Sequence, residues 1–206
     1  MPSQPLQPNP RHLLLIEGHP DASVRHLGHA LADAYAEGAR LSGHEVRRCV
    51  LAQLDFPLLK SQLEWEHGSV PPALAPAQTD IAWADHLVFF FPLWLGDMPA
   101  LVKAFLEQVA RPGFAFKGEG RNPFAHKGLK GKSARVVVTM GMPALVYRWY
   151  FRAHSLKSLE RNILGFIGIG PIHETLIGMV GKPGEGFEKE AAKWLEKLRK
   201  LGKAGD

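Results

Sequence analysis

His86–Phe91 (HLVFFF) constrains this chain more than any other stretch, because it is apolar after its histidine and has no polar alternation. A strand of that composition has no face to offer water, so it belongs in the middle of a parallel sheet covered on both sides. Pro92 is expected to stop it, since proline inside a central strand removes a ladder donor. Pro92–Asp97 then reads as a short loop carrying Trp94. Pro99 suits the first turn of a helix, where its missing N–H is tolerated. Leu101, Val102, Phe105, Leu106 and Val109 recur beyond it at helical spacing. In an open α/β sheet, ligands bind in the crevice beyond the carboxyl ends of the strands. A loop with such large apolar side chains suits a flat, aromatic ligand.

The rest of the chain follows the same rhythm. His12–Ile16 is a buried strand, and Glu17–Ser23 is a turn-rich loop. A helix follows with Leu27, Leu31, Ala34, Gly38 and Leu41 on one stripe, ending near Gly43. Glu45–Leu51 is extended. Asp55–Pro76 is a proline-rich excursion with a helical turn around Glu64–His67, and Thr79 is placed to cap a short helix through Asp85. Ala110–Gly131 is irregular, with Phe114, Phe116 and Phe124 among basic residues, and a loop of that length is usually functional or mobile. Arg135–Met140 is a fourth strand, Leu145–Leu164 a helix with Leu156, Leu159 and Ile163 toward the core, and Ile172–Ile177 a fifth strand. Glu185–Leu201 is an amphipathic helix that presents Phe187, Ala191, Trp194, Leu195, Leu198 and Leu201 on one face. Glu185/Lys189 and Glu196/Lys200 form i,i+4 pairs opposite it. Strands alternating with helices predict a doubly wound α/β fold, and five strands fit a flavodoxin-like order, 2-1-3-4-5. One domain is expected over residues 11–203, behind a disordered leader over 1–10.

With 206 residues, 46% of them hydrophobic and 22% charged, the chain is ordinary for one globular domain. A net charge of +5 biases it toward anionic ligands. The basic residues form no run, and nucleic-acid binding is not expected. The single cysteine, Cys49, excludes an intrachain disulfide and a multi-thiolate metal site, and it reads as a small buried residue. No apolar run reaches membrane-spanning length and no signal peptide is recognisable, so a cytoplasmic protein is expected.

Three loops leave strands one, three and four at one sheet edge: Glu17–Ser23, Pro92–Met98 and Thr139–Tyr147. The first, with His19, Ser23 and the amides that open the next helix, can hold a phosphate. The second offers Leu93, Trp94 and Leu95 as an apolar wall. The third offers Thr139 and Gly141, whose small size lets a ring approach the backbone. A phosphate cradle beside two loops that clasp a planar ring describes a flavin site. Other readings fail. His26 and His29 have helical spacing for a metal pair but lack a third ligand. Gly128–Ser133 has the wrong spacing and context for a P-loop. No G-x-G-x-x-G follows strand one, no G-x-S-x-G is present, and a receiver-type acidic cluster is missing beside Glu17 and Asp21.

Four segments carry a family resemblance: GHPDAS (Gly18–Ser23), FPLWLGDMPALVKAFLEQV (Phe91–Val109), GFAF (Gly113–Phe116) and TMGMPALVY (Thr139–Tyr147). With them the chain resembles the NAD(P)H:quinone oxidoreductase family, the DT-diaphorase-like group of flavodoxin-fold flavoproteins. The resemblance implies two-electron, ping-pong hydride transfer from NAD(P)H through a flavin, FAD or FMN, to a quinone or similar small aromatic acceptor. It implies that His19, Ser23 and the amides of Val24 and Arg25 hold the flavin phosphate. Pro92, Leu93, Trp94 and Leu95 would line the ring, with Thr139, Met140, Gly141 and Met142 at its other edge. Tyr147 would match the active-site tyrosine and His154 lies near the active-site histidine, both stabilising negative charge as hydride arrives. Phe116 would help roof the substrate pocket. Arg25 stands where asparagine is common in the family, and Leu95 where tryptophan is frequent. A homodimer with the site completed at the interface is implied, and Trp149, Tyr150 and Phe151 suit such a contact surface. Relatives that act as ancillary subunits of membrane transporters supply the alternative, a regulatory flavoprotein with little turnover.

Overall fold

The computed structural model describes residues 9–117, 127–181 and 185–206, with only the backbone at Glu185. Most of the expected leader, Phe124 and the side-chain pair Glu185/Lys189 lie outside the described residues.

β1 (His12–Glu17), β2 (Glu45–Val50), β3 (His86–Pro92), β4 (Ser133–Thr139) and β5 (Ile172–Ile177) form a parallel sheet in the order β2-β1-β3-β4-β5. β3 is central and buried along its length to Phe91, as its composition requires. Side chains alternate across the sheet. Leu14, Ile16, Leu87, Phe89, Phe91, Val136 and Val138 enter one core layer, while Leu13, Leu15, Val88, Phe90 and Val137 enter the other.

α1 (Leu27–Leu41) and α8 (Glu185–Ala204) cover the second layer, through Leu31, Tyr35 and Leu198. The first layer is covered by α3 (Ala75–Trp83), α4 (Ala100–Val109), and a segment made of α6 (His154–Lys157), a π-helical stretch (Ser158–Leu164) and α7 (Gly165–Ile167). α2 (Gln62–His67) and α5 (Ala144–Trp149) are short connecting helices.

Several boundaries depart from the sequence reading. Pro92 is the last ladder residue of β3, opposite Thr139, where its missing N–H lies at the strand end. α3 begins at Ala75, and Thr79 sits inside it with its hydroxyl donating back to Ala75 O at 3.2 Å; Pro76 in the first turn is what opens this helix. The helix expected over Leu145–Leu164 is broken after α5, where Arg152 and Ala153 take φ of 54° and 47°. Leu41 is exposed at the end of the α1 stripe.

Candidate functional site

β1 delivers the first loop through Gly18, whose N–H bonds Phe90 O at 2.7 Å and prolongs the pairing with β3. A Cβ at Gly18 would lie 2.4 Å from Val102 Cγ2, so only glycine lets α4 pack this close beneath the loop. His19 stacks on His26 with ring centroids 3.6 Å apart and lies near His29 at 5.9 Å. Burial and the neighbouring His26 hold His19 below the usual histidine pKa. Below the three rings, the buried Glu17 takes Arg48 Nε at 2.8 Å and faces His29 Nδ1 at 2.8 Å. Ser23 donates both its N–H (2.8 Å) and its hydroxyl (2.5 Å) to Asp21 Oδ1. Val24 and Arg25 are exposed, and Arg25 pairs with Asp33 on α1. No side chain caps α1, and its first turn carries no acid. This donor set, an uncapped helix N-terminus with serine and imidazole beside it, fits an anionic phosphate.

The second loop turns sharply. Trp94 and Asp97 exchange two backbone bonds of 2.9 and 3.0 Å, and the residues between them, Leu95 and Gly96, have φ of 49° and 81°. Two positive φ angles are the signature of the tight turn that matches strand twist. Glycine adopts it freely, but leucine does so at a cost of about 1–2 kcal/mol. Leu95 is nevertheless fully exposed at the tip, so no burial of its own offsets this strain. Trp94 is half-exposed and meets His19 edge-on, centroids 5.8 Å apart, which joins the first and second loops. Leu93 N–H bonds Thr139 O at 2.8 Å, which joins the second to the third.

In the third loop Thr139 and Met140 are buried, Met142 is half-buried, and Gly141 is exposed. A Cβ at Gly141 would find only Val180 O, at 3.7 Å, so that surface is open to an approaching ring. Met140 and Met142 carbonyls accept from Val180 (3.0 Å) and Met179 (3.1 Å), stitching the loop to the end of β5.

Tyr147 is buried, with its hydroxyl accepting from Leu156 N–H at 3.3 Å; burial raises its pKa and keeps it neutral. His154 is exposed at the start of α6. Between them Ser155 donates to Asp97 Oδ1, which also accepts from Met98 N–H at 2.6 Å. Asp97 therefore ties the second loop to α6, whose Leu156 N–H bonds the Tyr147 hydroxyl. Sequence reading missed it; its one signal was an acid just after the glycine of a tight turn. Glu17 and Arg48 were missed for another reason, that their pairing crosses from β1 to β2.

A cavity of about 430 Å3 lies against the second loop, lined in part by Trp94, Leu95, Met98, Lys103 and Ile163. A second, of about 160 Å3, shares Lys103 and Ile163 and takes in Trp65, Phe116 and Phe166. Phe116 is buried between Trp65 and Phe166, at the far end of the groove that begins at Trp94. Among the described residues no cluster of ligating side chains could hold a metal, and His26 and His29 instead face Asp21 and Glu17. No helix is long and apolar enough to cross a membrane among the described residues.

A family model described as Flavodoxin-like fold matches residues 11–200. The chain is 28% identical over 169 residues to an uncharacterized NAD(P)H oxidoreductase of Haemophilus influenzae, a match covering 80% of this chain and 82% of that one. It is 29% identical over 199 residues to an FMN-dependent NADH:quinone oxidoreductase of Erythrobacter litoralis, covering 87% and 96%. Its structure resembles that of an NAD(P)H:quinone oxidoreductase from Methanothermobacter marburgensis with a TM-score of 0.76 at 23% identity, covering 94% and 96%. At that identity the structural likeness is one of fold.

Proposed function

Since the chain belongs to the flavodoxin-like fold family, we propose that it is a flavin-dependent NAD(P)H:quinone oxidoreductase, built as one unit over residues 11–203. The observation that carries this is the convergence of three strand-end loops: His19 edge-on to Trp94, Leu93 bonded to Thr139, and an uncapped helix N-terminus beside them. The names of the relatives support FMN over FAD and a quinone as acceptor. When bound, the flavin supplies the two-electron relay between nicotinamide and quinone.

The protein's own part is positional and electrostatic. Ser23, His19 and the amides of Val24 and Arg25 hold the phosphate. Leu93, Trp94 and Leu95 would wall the ring and exclude water, with Thr139–Met142 at its other edge. Tyr147, buried with its hydroxyl accepting from Leu156 N–H, is the residue that the resemblance assigns to stabilising negative charge as hydride arrives. His154 takes the same role from the exposed start of α6. Both substrates would use one apolar pocket in turn, the arrangement that a ping-pong mechanism needs.

The test is an absorption spectrum of protein reconstituted with FMN and then FAD, followed by anaerobic NADH or NADPH and then menadione. Flavin bands that bleach with the nicotinamide and return with the quinone are expected, with parallel lines in initial-velocity plots. Failure to bind either flavin would overturn the reading. Binding without bleaching would favour the alternative, a regulatory flavoprotein that serves a membrane transporter.

A further inference from the structure

The donors of the first loop already hold an anion. Asp21 Oδ1 accepts from Ser23 N–H and Ser23 Oγ–H at 2.8 and 2.5 Å, and Asp21 Oδ2 lies 3.1 Å from His26 Nε2. Ser23 is also a donor expected to hold the flavin phosphate. The two Ser23 bonds, followed by His26, hold the Asp21 carboxyl down at about 2, so it is ionised across the working pH range.

The arginines around the loop are balanced by carboxylates. Arg25 pairs with Asp33 and Arg48 with Glu17 and Asp33, while the His29 and His26 rings lie against Glu17 and Asp21. A phosphate that takes the Ser23 donors must displace the carboxylate that now holds them. Glu17 is buried, and Asp33 is held by two guanidiniums. Asp21 sits on a turn with its side chain 43% exposed, and its bonds are all to residues close in sequence. Swinging it outward costs those local bonds and exposes nothing apolar.

We propose that Asp21 is a built-in competitor for the cofactor phosphate: its carboxylate occupies the Ser23 and His26 donors in the free protein and must be displaced when a phosphate-bearing ligand binds. This rests on the flavin reading above and goes beyond it, because it makes Asp21 the residue that sets how tightly a phosphorylated flavin is held relative to an unphosphorylated one. The displaced carboxylate leaves behind three charge-assisted contacts, each stronger than a neutral bond. It also remains near the incoming dianion, where like charges repel.

The test compares wild type with Asp21→Asn, which keeps an oxygen for the Ser23 bonds but removes the charge, and with Asp21→Ser. Dissociation constants for FMN and for riboflavin are measured by quenching of flavin fluorescence, and thermal shifts are measured with inorganic phosphate. Both variants are expected to bind FMN about tenfold more tightly, the equivalent of one charge-assisted bond. Riboflavin affinity should be unchanged, and the melting temperature should rise more with phosphate than in wild type. FMN affinity that is equal or lower in both variants would overturn the proposal and make Asp21 a residue that only shapes the turn. Equal gains for FMN and riboflavin would also overturn it, by moving the effect to the ring pocket. If wild type bound neither flavin, the functional reading would fall, and the phosphate-induced shift would still decide the competition.

Discussion

At the opposite end of the sheet from the site, burial holds one residue far from its ordinary chemistry. His86 opens β3, is 1% exposed, and has Nδ1 at 2.8 Å from Ser133 Oγ while its Nε2 has no partner among the described residues. Burial first, and then the Arg11 charge, push its pKa down to about 3; Arg135 and His173 act the same way, and Asp206 opposes them. The folded state therefore favours neutral imidazole, and the unfolded chain binds more protons between about pH 6.5 and 3. Stability should be level above pH 6.5 and fall as pH drops through that window, by about 1.4 kcal/mol per unit at most. Denaturant melts from pH 7 to 4 should show this acid limb, and His86→Asn should flatten it. An unchanged limb in that variant would assign the acid sensitivity to another group. His86 was legible in the sequence only as the polar start of an apolar run, because its environment is assembled from Arg11, Ser133 and Arg135, far apart in the chain.

Among the elements, α1 and α8 approach closely because glycines face backbone on both sides. A Cβ on Gly38 would lie 2.0 Å from Arg199 O, and one on Gly202 would lie 2.0 Å from Tyr35 O. Gly→Ala inside a helix ordinarily gains about 1 kcal/mol. Here it would force the helices apart, and Gly38→Ala or Gly202→Ala should instead cost about 1–3 kcal/mol. Gly186→Ala, with open space around its Cβ, is the control and should stabilise slightly. Urea melts of the three variants would decide: a gain at position 38 or 202 would mean that the helices are not held this tightly. The apolar stripe of each helix was readable from spacing alone. The break between α5 and α6 was not, since Arg152 and Ala153 take up left-handed conformations that nothing in their own chemistry favours.

At the scale of the whole molecule, Trp149 and Tyr150 are 76% and 79% exposed, with Phe151 and Phe166 about half-exposed. Aromatic groups of this size outside the core mark an interaction surface. A homodimer, which the family resemblance implies, would bury this surface. Sedimentation equilibrium should give a dimer. Trp149→Glu with Tyr150→Glu should weaken it by about 30-fold or more, in the range expected for buried aromatic anchors, with quinone turnover falling in parallel. A wild-type monomer with full turnover would remove the surface from the catalytic account.

The strand–helix alternation, the central position of β3 and the three loops that converge at the sheet edge were all legible in the amino-acid sequence. Those features follow from local apolar periodicity and from where prolines and glycines interrupt it, information carried by residues close together in the chain. It also carried the family resemblance through the loop motifs. Long-range packing alone clamps Glu17 between Arg48 and His29, ties Asp97 in the second loop to Ser155, and sets Phe116 beside Trp65. Most of these pairings join elements far apart in sequence. Their energies depend on burial and on the angle between partners, which exist only once the sheet has brought the strand ends together.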